Sequence, residues 1–140
     1  MISLVLVSHS RPLAQALLDL LHQFVKSDVK IAIAGGAPPD HQEFGSDANE
    51  IAQAIQSVDT PDGILVLMDM GSTVLSAEMA LDFLPEEIRQ RTLLCDAPLV
   101  EGAIIAAVQA GVGSDLHTIA REARQAILPK TQHLQSNSNP

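Results

Sequence analysis

The stretch GILVLMDMGST, Gly63 to Thr73, decides how the chain is read. Gly63 to Met68 reads as a strand: its apolar run is too short for a helix and lacks in-and-out alternation, which is the pattern of a parallel strand covered on both faces. It stops at Asp69. Gly71-Ser72-Thr73 then opens a segment carrying Leu75, Met79 and Phe83 at helical spacing towards Pro85. The same unit, a short apolar strand followed by a polar turn and a helix, recurs outward from it in both directions.

Towards the amino terminus, Ile2 to Val7 reads as a strand ending in Ser8-His9-Ser10. A helix follows, started by Ser10 with Pro12 in its first turn and facing inward with Leu13, Leu17, Leu20, Leu21 and Phe24. Val29 to Ala34 is a second strand, closed by Gly35-Gly36, and Ala48, Ile51, Ala52 and Ile55 mark a second helix with Ser46 as its expected N-cap. Towards the carboxyl terminus, Thr92 to Cys95 is a fourth strand. A helix from Leu99 to Gln109 is apolar almost all round, which predicts burial or an interface. Gly111 and Gly113 stop it, and Ser114 or Asp115 caps a last helix with Leu116, Ile119, Ala120 and Ala123 inward. Residues 1–128 are expected to form a single domain, and 129–140 a polar tail without fixed structure.

Alternating strands and helices predict an α/β fold: an open, mainly parallel four-stranded sheet with helices on both faces and right-handed crossovers. Such sheets take their ligands outside the carboxyl ends of the strands, where strand order reverses. In the common doubly wound orders strand 1 lies beside strand 3, so His9 and Asp69 are expected to face one another. A carboxylate bonded to one imidazole nitrogen fixes the tautomer and leaves the other nitrogen as a nucleophile. Gly71, Ser72 and Thr73 open a helix whose first N–H groups and positive dipole end suit a phosphoryl group, and Ser10 and Arg11 open another. Taken singly, each of these residues is ordinary turn or cap chemistry; their convergence carries the functional reading.

Composition narrows the alternatives. Eight basic against 17 acidic residues, net charge -9, leave no basic face for a nucleic acid. With three Phe, no Trp and no Tyr, platforms for stacking bases or a flavin are scarce. Uninterrupted apolar runs reach five or six residues where a membrane span needs about 20, so no membrane is expected. The first residues have neither a basic region nor a cleavage site of the secretory kind. A lone cysteine, Cys95, fits a reducing cytoplasm. No Walker A sequence, dinucleotide fingerprint or metal-ligand spacing is present, and no cofactor or metal is expected. A mean hydropathy of +0.19 hints at an apolar subunit interface. Elsewhere, His41 is expected to be solvated, His22, His117 and His133 to lie on the surface, and Glu101 to be a first-turn acid or part of the site's rim.

Four stretches carry a resemblance: VLVSHSRPLA (Val5 to Ala14), AIAGG (Ala32 to Gly36), DGILVLMDMGST (Asp62 to Thr73) and APLVEGAIIAA (Ala97 to Ala107). In this order they are similar to the mannose-type IIA family of the sugar phosphotransferase system, of flavodoxin-like fold, and within it to the dihydroxyacetone-kinase branch. The resemblance implies a cytoplasmic, homodimeric phosphohistidine carrier. It would accept a phosphoryl group from HPr on His9 and pass it to ADP held on a DhaL subunit, so that DhaK phosphorylates dihydroxyacetone. Asp69 would orient the His9 ring and Ser72 would hold phosphoryl oxygens. Gln15 stands where the family usually has Gly, and Ser46 where Thr is usual; neither removes a reacting group. Some relatives continue into fused HPr and enzyme I segments, and the expectation here is a separate donor. A IIA subunit feeding a mannose-type sugar permease, and a phosphorylation-dependent regulatory domain, use the same His9 and stay open on sequence.

Overall fold

A computed structural model describes residues 1–25 and 28–137. Four strands, β1 (Ser3–Ser8), β2 (Ile31–Gly35), β3 (Ile64–Met68) and β4 (Thr92–Cys95), pair in parallel in the order β2-β1-β3-β4. The sheet is wholly parallel, and strand order reverses between β1 and β3 as the doubly wound pattern requires. The two central strands are buried along their whole length while β2 and β4 are half-covered at the edges, which is why β1 and β3 read as unbroken apolar runs.

Among the described residues there are seven helices: α1 (Arg11–Phe24), α2 (Ala48–Ser57), α3 (Gly71–Leu81), α4 (Glu86–Gln90), α5 (Leu99–Gly111), α6 (Leu116–Arg124) and α7 (Leu128–Asn137). Ile2, Leu4, Leu6, Leu65, Leu67 and Cys95 point to one face, against α1, α5 and α6. Val5, Val7, Ile64, Val66 and Met68 point to the other, against α2 and α3. Each fully buried Leu, Ile or Val contributes about 1.5–3 kcal/mol relative to exposure. Helix α5 packs between α1 and α6 as well as on the sheet, so its nearly continuous apolar surface reflects neighbours on several sides.

Three expectations need correction. Helix α1 buries Ala14, Leu17 and Leu21, leaving Leu13, Leu20 and Phe24 exposed, and α3 buries Thr73, Ala77 and Ala80, with Leu75 61% exposed and Met79 and Phe83 also outward. The sheet already presents bulky Val, Leu and Ile, and the space left between helix and sheet suits alanine. Second, Asp47, not Ser46, caps α2, accepting the Glu50 N–H at 3.1 Å; Ser46 instead bonds Ser76 of α3 at 2.7 Å. Third, the described part of the stretch expected to lack structure is helix α7. Pro129 sits in its first turn, where a missing N–H costs nothing. It buries none of its residues, and Lys130 pairs with Glu101 of α5. Residues 138–140 of that stretch lie outside the described residues. The short helix α4 was not foreseen. No helix among the described residues is long and apolar enough to cross a membrane.

Candidate active site

β1 delivers Ser8 and His9 to the carboxyl edge of the sheet, and β3 delivers Asp69 beside them. The Asp69 N–H bonds the Val7 carbonyl at 3.1 Å, so the ladder between the two central strands runs directly into the site. Asp69 collects five hydrogen bonds. One oxygen accepts from the Ser8 hydroxyl (2.8 Å) and the His9 N–H (3.0 Å), the other from the Met70 N–H (2.8 Å), the Thr73 hydroxyl (2.9 Å) and His9 Nδ1 (3.0 Å). Burial pushes this carboxyl up, but the donors from His9, Ser8, Thr73 and Met70 outweigh it and hold the group below the usual carboxylate range. Asp69 is therefore ionised at neutral pH, and His9 donates through Nδ1.

With Nδ1–H committed to Asp69, the lone pair of His9 is on Nε2. That nitrogen accepts the Ser72 hydroxyl, which lies in the first turn of α3. The His9 side chain is 19% and that of Asp69 17% exposed: the pair is sheltered but reachable. Four of the expected residues, His9, Asp69, Ser72 and Thr73, thus come together. Gly71 opens α3 beside them, with open space where a side chain would stand.

Two of the residues expected at the phosphoryl group direct their hydroxyls elsewhere. Thr73 is fully buried, and its hydroxyl proton is shared between Asp69 and the Met70 carbonyl at 2.6 Å; it steadies Asp69. The Ser10 hydroxyl caps α1 by accepting the Leu13 N–H at 3.3 Å. Arg11 does not reach towards Nε2 either, since its Nε donates to the Gly35 carbonyl at 2.9 Å and its Nη2 to Glu50.

Gly35 ends β2 against the β1–α1 turn, where an added Cβ would stand 2.6 Å from the Ser8 carbonyl oxygen. The double glycine thus permits backbone to close on backbone. Gly36 has φ +80°, and His41 adopts φ +62°, a left-handed conformation that costs a non-glycine residue of order 1–3 kcal/mol. The expectation of a solvated His41 is corrected: Nδ1 lies 3.1 Å from both the Gly36 carbonyl and Glu50 Oε2. Glu50 is the residue that sequence reasoning missed. Its signal was Asp47-x-x-Glu50, a cap followed by an acid in the first turn, which ordinarily announces only a helix start. His22, His117 and His133 are exposed as expected. Cys95 is buried, its thiol pushed up by desolvation. Among the described residues no group of three His, Cys, Asp or Glu could hold a metal ion. A polar hollow of about 330 Å³, lined by Met1, Ile2, Asp62, Gly113, Ser114 and Asp115, opens at the opposite end of the strands.

Residues 3–120 match the EIIA-man model, described as the PTS system fructose IIA component. The chain belongs to this family. It is 44% identical over 135 residues to the phosphoryl donor subunit DhaM of the PEP-dependent dihydroxyacetone kinase of Escherichia coli, covering 96% of this chain and 29% of that protein. The chain thus spans under a third of that relative's length. It is also 39% identical to the DhaM of dihydroxyacetone kinase 2 of Listeria innocua, covering 87% of this chain and 96% of that protein. A crystal structure of a protein of unknown function, EF1359, superposes with a TM-score of 0.79 at 38% identity, covering 89% of this chain and 93% of that one.

The depressed carboxyl of Asp69 has a consequence for stability. A group whose pKa is lower folded than unfolded stabilises the fold above its unfolded value, about 3.9 for Asp, and loses that contribution as pH falls through the folded value. The thermal stability of wild type relative to Asp69→Asn is expected to be greatest above about pH 4 and to shrink with acidification. A gap unchanged by acid would mean that the hydrogen bonds to Asp69 do not favour its charged form. Asp69→Ala is expected to cost more than Asp69→Asn, because it takes away the acceptor of the buried Ser8 hydroxyl, at about 1–3 kcal/mol for an unsatisfied group, while Thr73 keeps the Met70 carbonyl.

Proposed function

We propose that the chain is a phosphohistidine carrier of the dihydroxyacetone-kinase relay, accepting a phosphoryl group from HPr on Nε2 of His9 and delivering it to ADP on DhaL, so that DhaK phosphorylates dihydroxyacetone. The observation that carries this reading is a single arrangement: an imidazole fixed by Asp69 through Nδ1, with Nε2 turned out to Ser72 at the start of α3. The relatives named DhaM support the branch.

In the uptake step Nε2 attacks phosphorus as the donor's N–P bond breaks, and the electron pair of that bond returns to the donor ring. Asp69 offsets the positive charge that grows on the His9 ring. The Ser72 hydroxyl turns from Nε2 to a phosphoryl oxygen, and the Gly71 and Ser72 N–H groups meet the same charge at the dipole end of α3. In delivery a β-phosphate oxygen of ADP attacks, and the N–P electron pair returns to Nε2. Little covalent chemistry is asked of the protein beyond in-line positioning. A sheltered but reachable His9 suits an acceptor that belongs to another protein. A cytoplasmic homodimer accompanies the proposal, supported by the buried lone Cys95 and by the apolar side chains that α1 and α3 leave exposed.

Phosphoenolpyruvate, enzyme I and HPr are expected to add one phosphoryl group, acid-labile and mapped to His9 by peptide mass, which DhaL loaded with ADP discharges. Label on His9 that DhaL cannot remove would point to the sugar-permease branch or to a regulatory role. No label with active donors would overturn the carrier reading.

A further inference from the structure

We infer that Glu50 is a positioning residue for phosphoryl transfer at His9, acting through the loop that closes on the histidine's main chain. This rests on the carrier reading above. Glu50 is in the first turn of α2, and its side chain is 17% exposed. In an ordinary capping box its carboxylate would turn back to the Asp47 N–H. Here it turns away from its own helix. Oε1 accepts the Gly35 N–H at 3.2 Å and the Arg11 Nη2, and Oε2 lies 3.1 Å from His41 Nδ1. That oxygen is buried and has no donor aligned on it as a hydrogen bond among the described residues, while His41 Nδ1 also lies 3.1 Å from the Gly36 carbonyl.

One carboxylate therefore ties three segments that share no helix or strand: the start of α1, the end of β2, and the loop from Gly36 to Gly45. The loop matters for His9 because its far end returns to the site. The Gly45 N–H donates to the His9 carbonyl at 2.9 Å, opposite the Asp69 oxygen that accepts the His9 N–H. The main chain of His9 is thus held from β3 on one side and from this loop on the other. Two further observations fix the loop's course. His41 sits at φ +62°, and a Cβ at Gly36 would stand 2.4 Å from the His41 carbonyl oxygen. An unfavourable backbone conformation at a tight crossing persists only when its surroundings hold it, and Glu50 faces the ring of that residue. Glu50 also engages the guanidinium of Arg11, two residues beyond His9, and so keeps that cation from swinging over Nε2.

Glu50 touches neither the reacting nitrogen nor the incoming group. Its loss is expected to lower the rate of transfer at saturating donor and to leave donor binding alone, since misplacement of reacting atoms by about 1 Å costs on the order of 100-fold. For Glu50→Ala, uptake from phosphorylated HPr is expected to fall about tenfold in kcat, with KM within about twofold of wild type. The Gly45 amide should exchange faster with solvent, and the His9 ring signals should shift in the NMR spectrum. Glu50→Gln keeps the size and an acceptor for Gly35 but loses the charge facing Arg11 and His41, and about a threefold fall is expected. A wild-type kcat in a folded Glu50→Ala protein overturns the inference, as does a change confined to KM, which would make Glu50 a donor contact. If the alanine variant does not fold, Glu50→Gln decides: slower uptake with faster Gly45 exchange sustains the inference, and wild-type values of both overturn it. Failure of the wild-type chain itself to take label on His9 overturns the carrier reading instead, while Gly45 exchange in the variants still reports whether Glu50 holds the loop.

Discussion

His9→Ala is expected to take up no phosphoryl group while unfolding close to the wild-type temperature. The two halves of this result have separate physical grounds. Loss of a covalent nucleophile in a hydrolase costs about 10⁶-fold in kcat, and no other imidazole here is arranged to replace it. His41 directs Nδ1 to Gly36 and Glu50, and His22, His117 and His133 lie on exposed surfaces away from Asp69. The fold, by contrast, loses little. The substitution keeps the His9 N–H and carbonyl, and Asp69 still accepts from Ser8, the His9 main chain, Met70 and Thr73. One hydrogen bond at a partly open site contributes about 0.5–1.5 kcal/mol net, within what the buried sheet tolerates. Intact mass after incubation with phosphoenolpyruvate, enzyme I and HPr reads the first half, and a thermal unfolding curve reads the second. Incorporation of one phosphoryl group by the variant would move the nucleophile elsewhere and dissolve the argument built on Asp69. A collapse in stability without the ring would mean that the imidazole is chiefly structural.

The fold was legible because parallel strands covered on both faces have a distinctive sequence. Apolar residues run unbroken from Leu4 to Val7 and from Ile64 to Met68, and polar residues follow where the strands stop, so the order of elements and the meeting of His9 with Asp69 follow from topology alone. The inward faces of α1 and α3 were not legible. Bulky apolar residues occupy more than one side of each helix, and periodicity picks the bulkiest stripe. The sheet surface selects the alanines, whose small size shows no periodic signal of its own. The roles of Thr73 and Arg11 were hidden for a different reason. Sequence places a hydroxyl and a guanidinium near the site, but only the folded arrangement shows that one is spent on Asp69 and the other on Gly35 and Glu50. Glu50 was the least visible, because an acid after a helix cap has a sufficient local explanation and its real partners lie in segments remote in sequence.

Gly35→Ala tests how tightly the histidine's surroundings are packed, and it is expected to impair both the fold and the site. The backbone dihedrals of Gly35 are open to any residue; the obstacle is space. The new Cβ would stand 2.6 Å from the Ser8 carbonyl oxygen and 3.3 Å from that of Ser10. Both obstacles are main chain, so no rotamer change relieves them, and β2 must move away from β1 or the β1–α1 turn must shift. Overpacking of this kind costs about 1–3 kcal/mol. The displaced segment carries His9, and the Gly35 N–H and carbonyl that Glu50 and Arg11 hold would move with it. Uptake of the phosphoryl group is therefore expected to fall at least about tenfold even in the fraction that is folded. Gly71→Ala supplies the contrast for stability: its Cβ would meet nothing within 4 Å, and alanine is the better helix former, so the unfolding temperature should hold or rise. Thermal unfolding of the two variants beside wild type measures the difference directly. Equal stabilities would show that the close approach of Gly35 to Ser8 relaxes without cost, and that the rigidity assigned to this edge of the sheet comes from elsewhere.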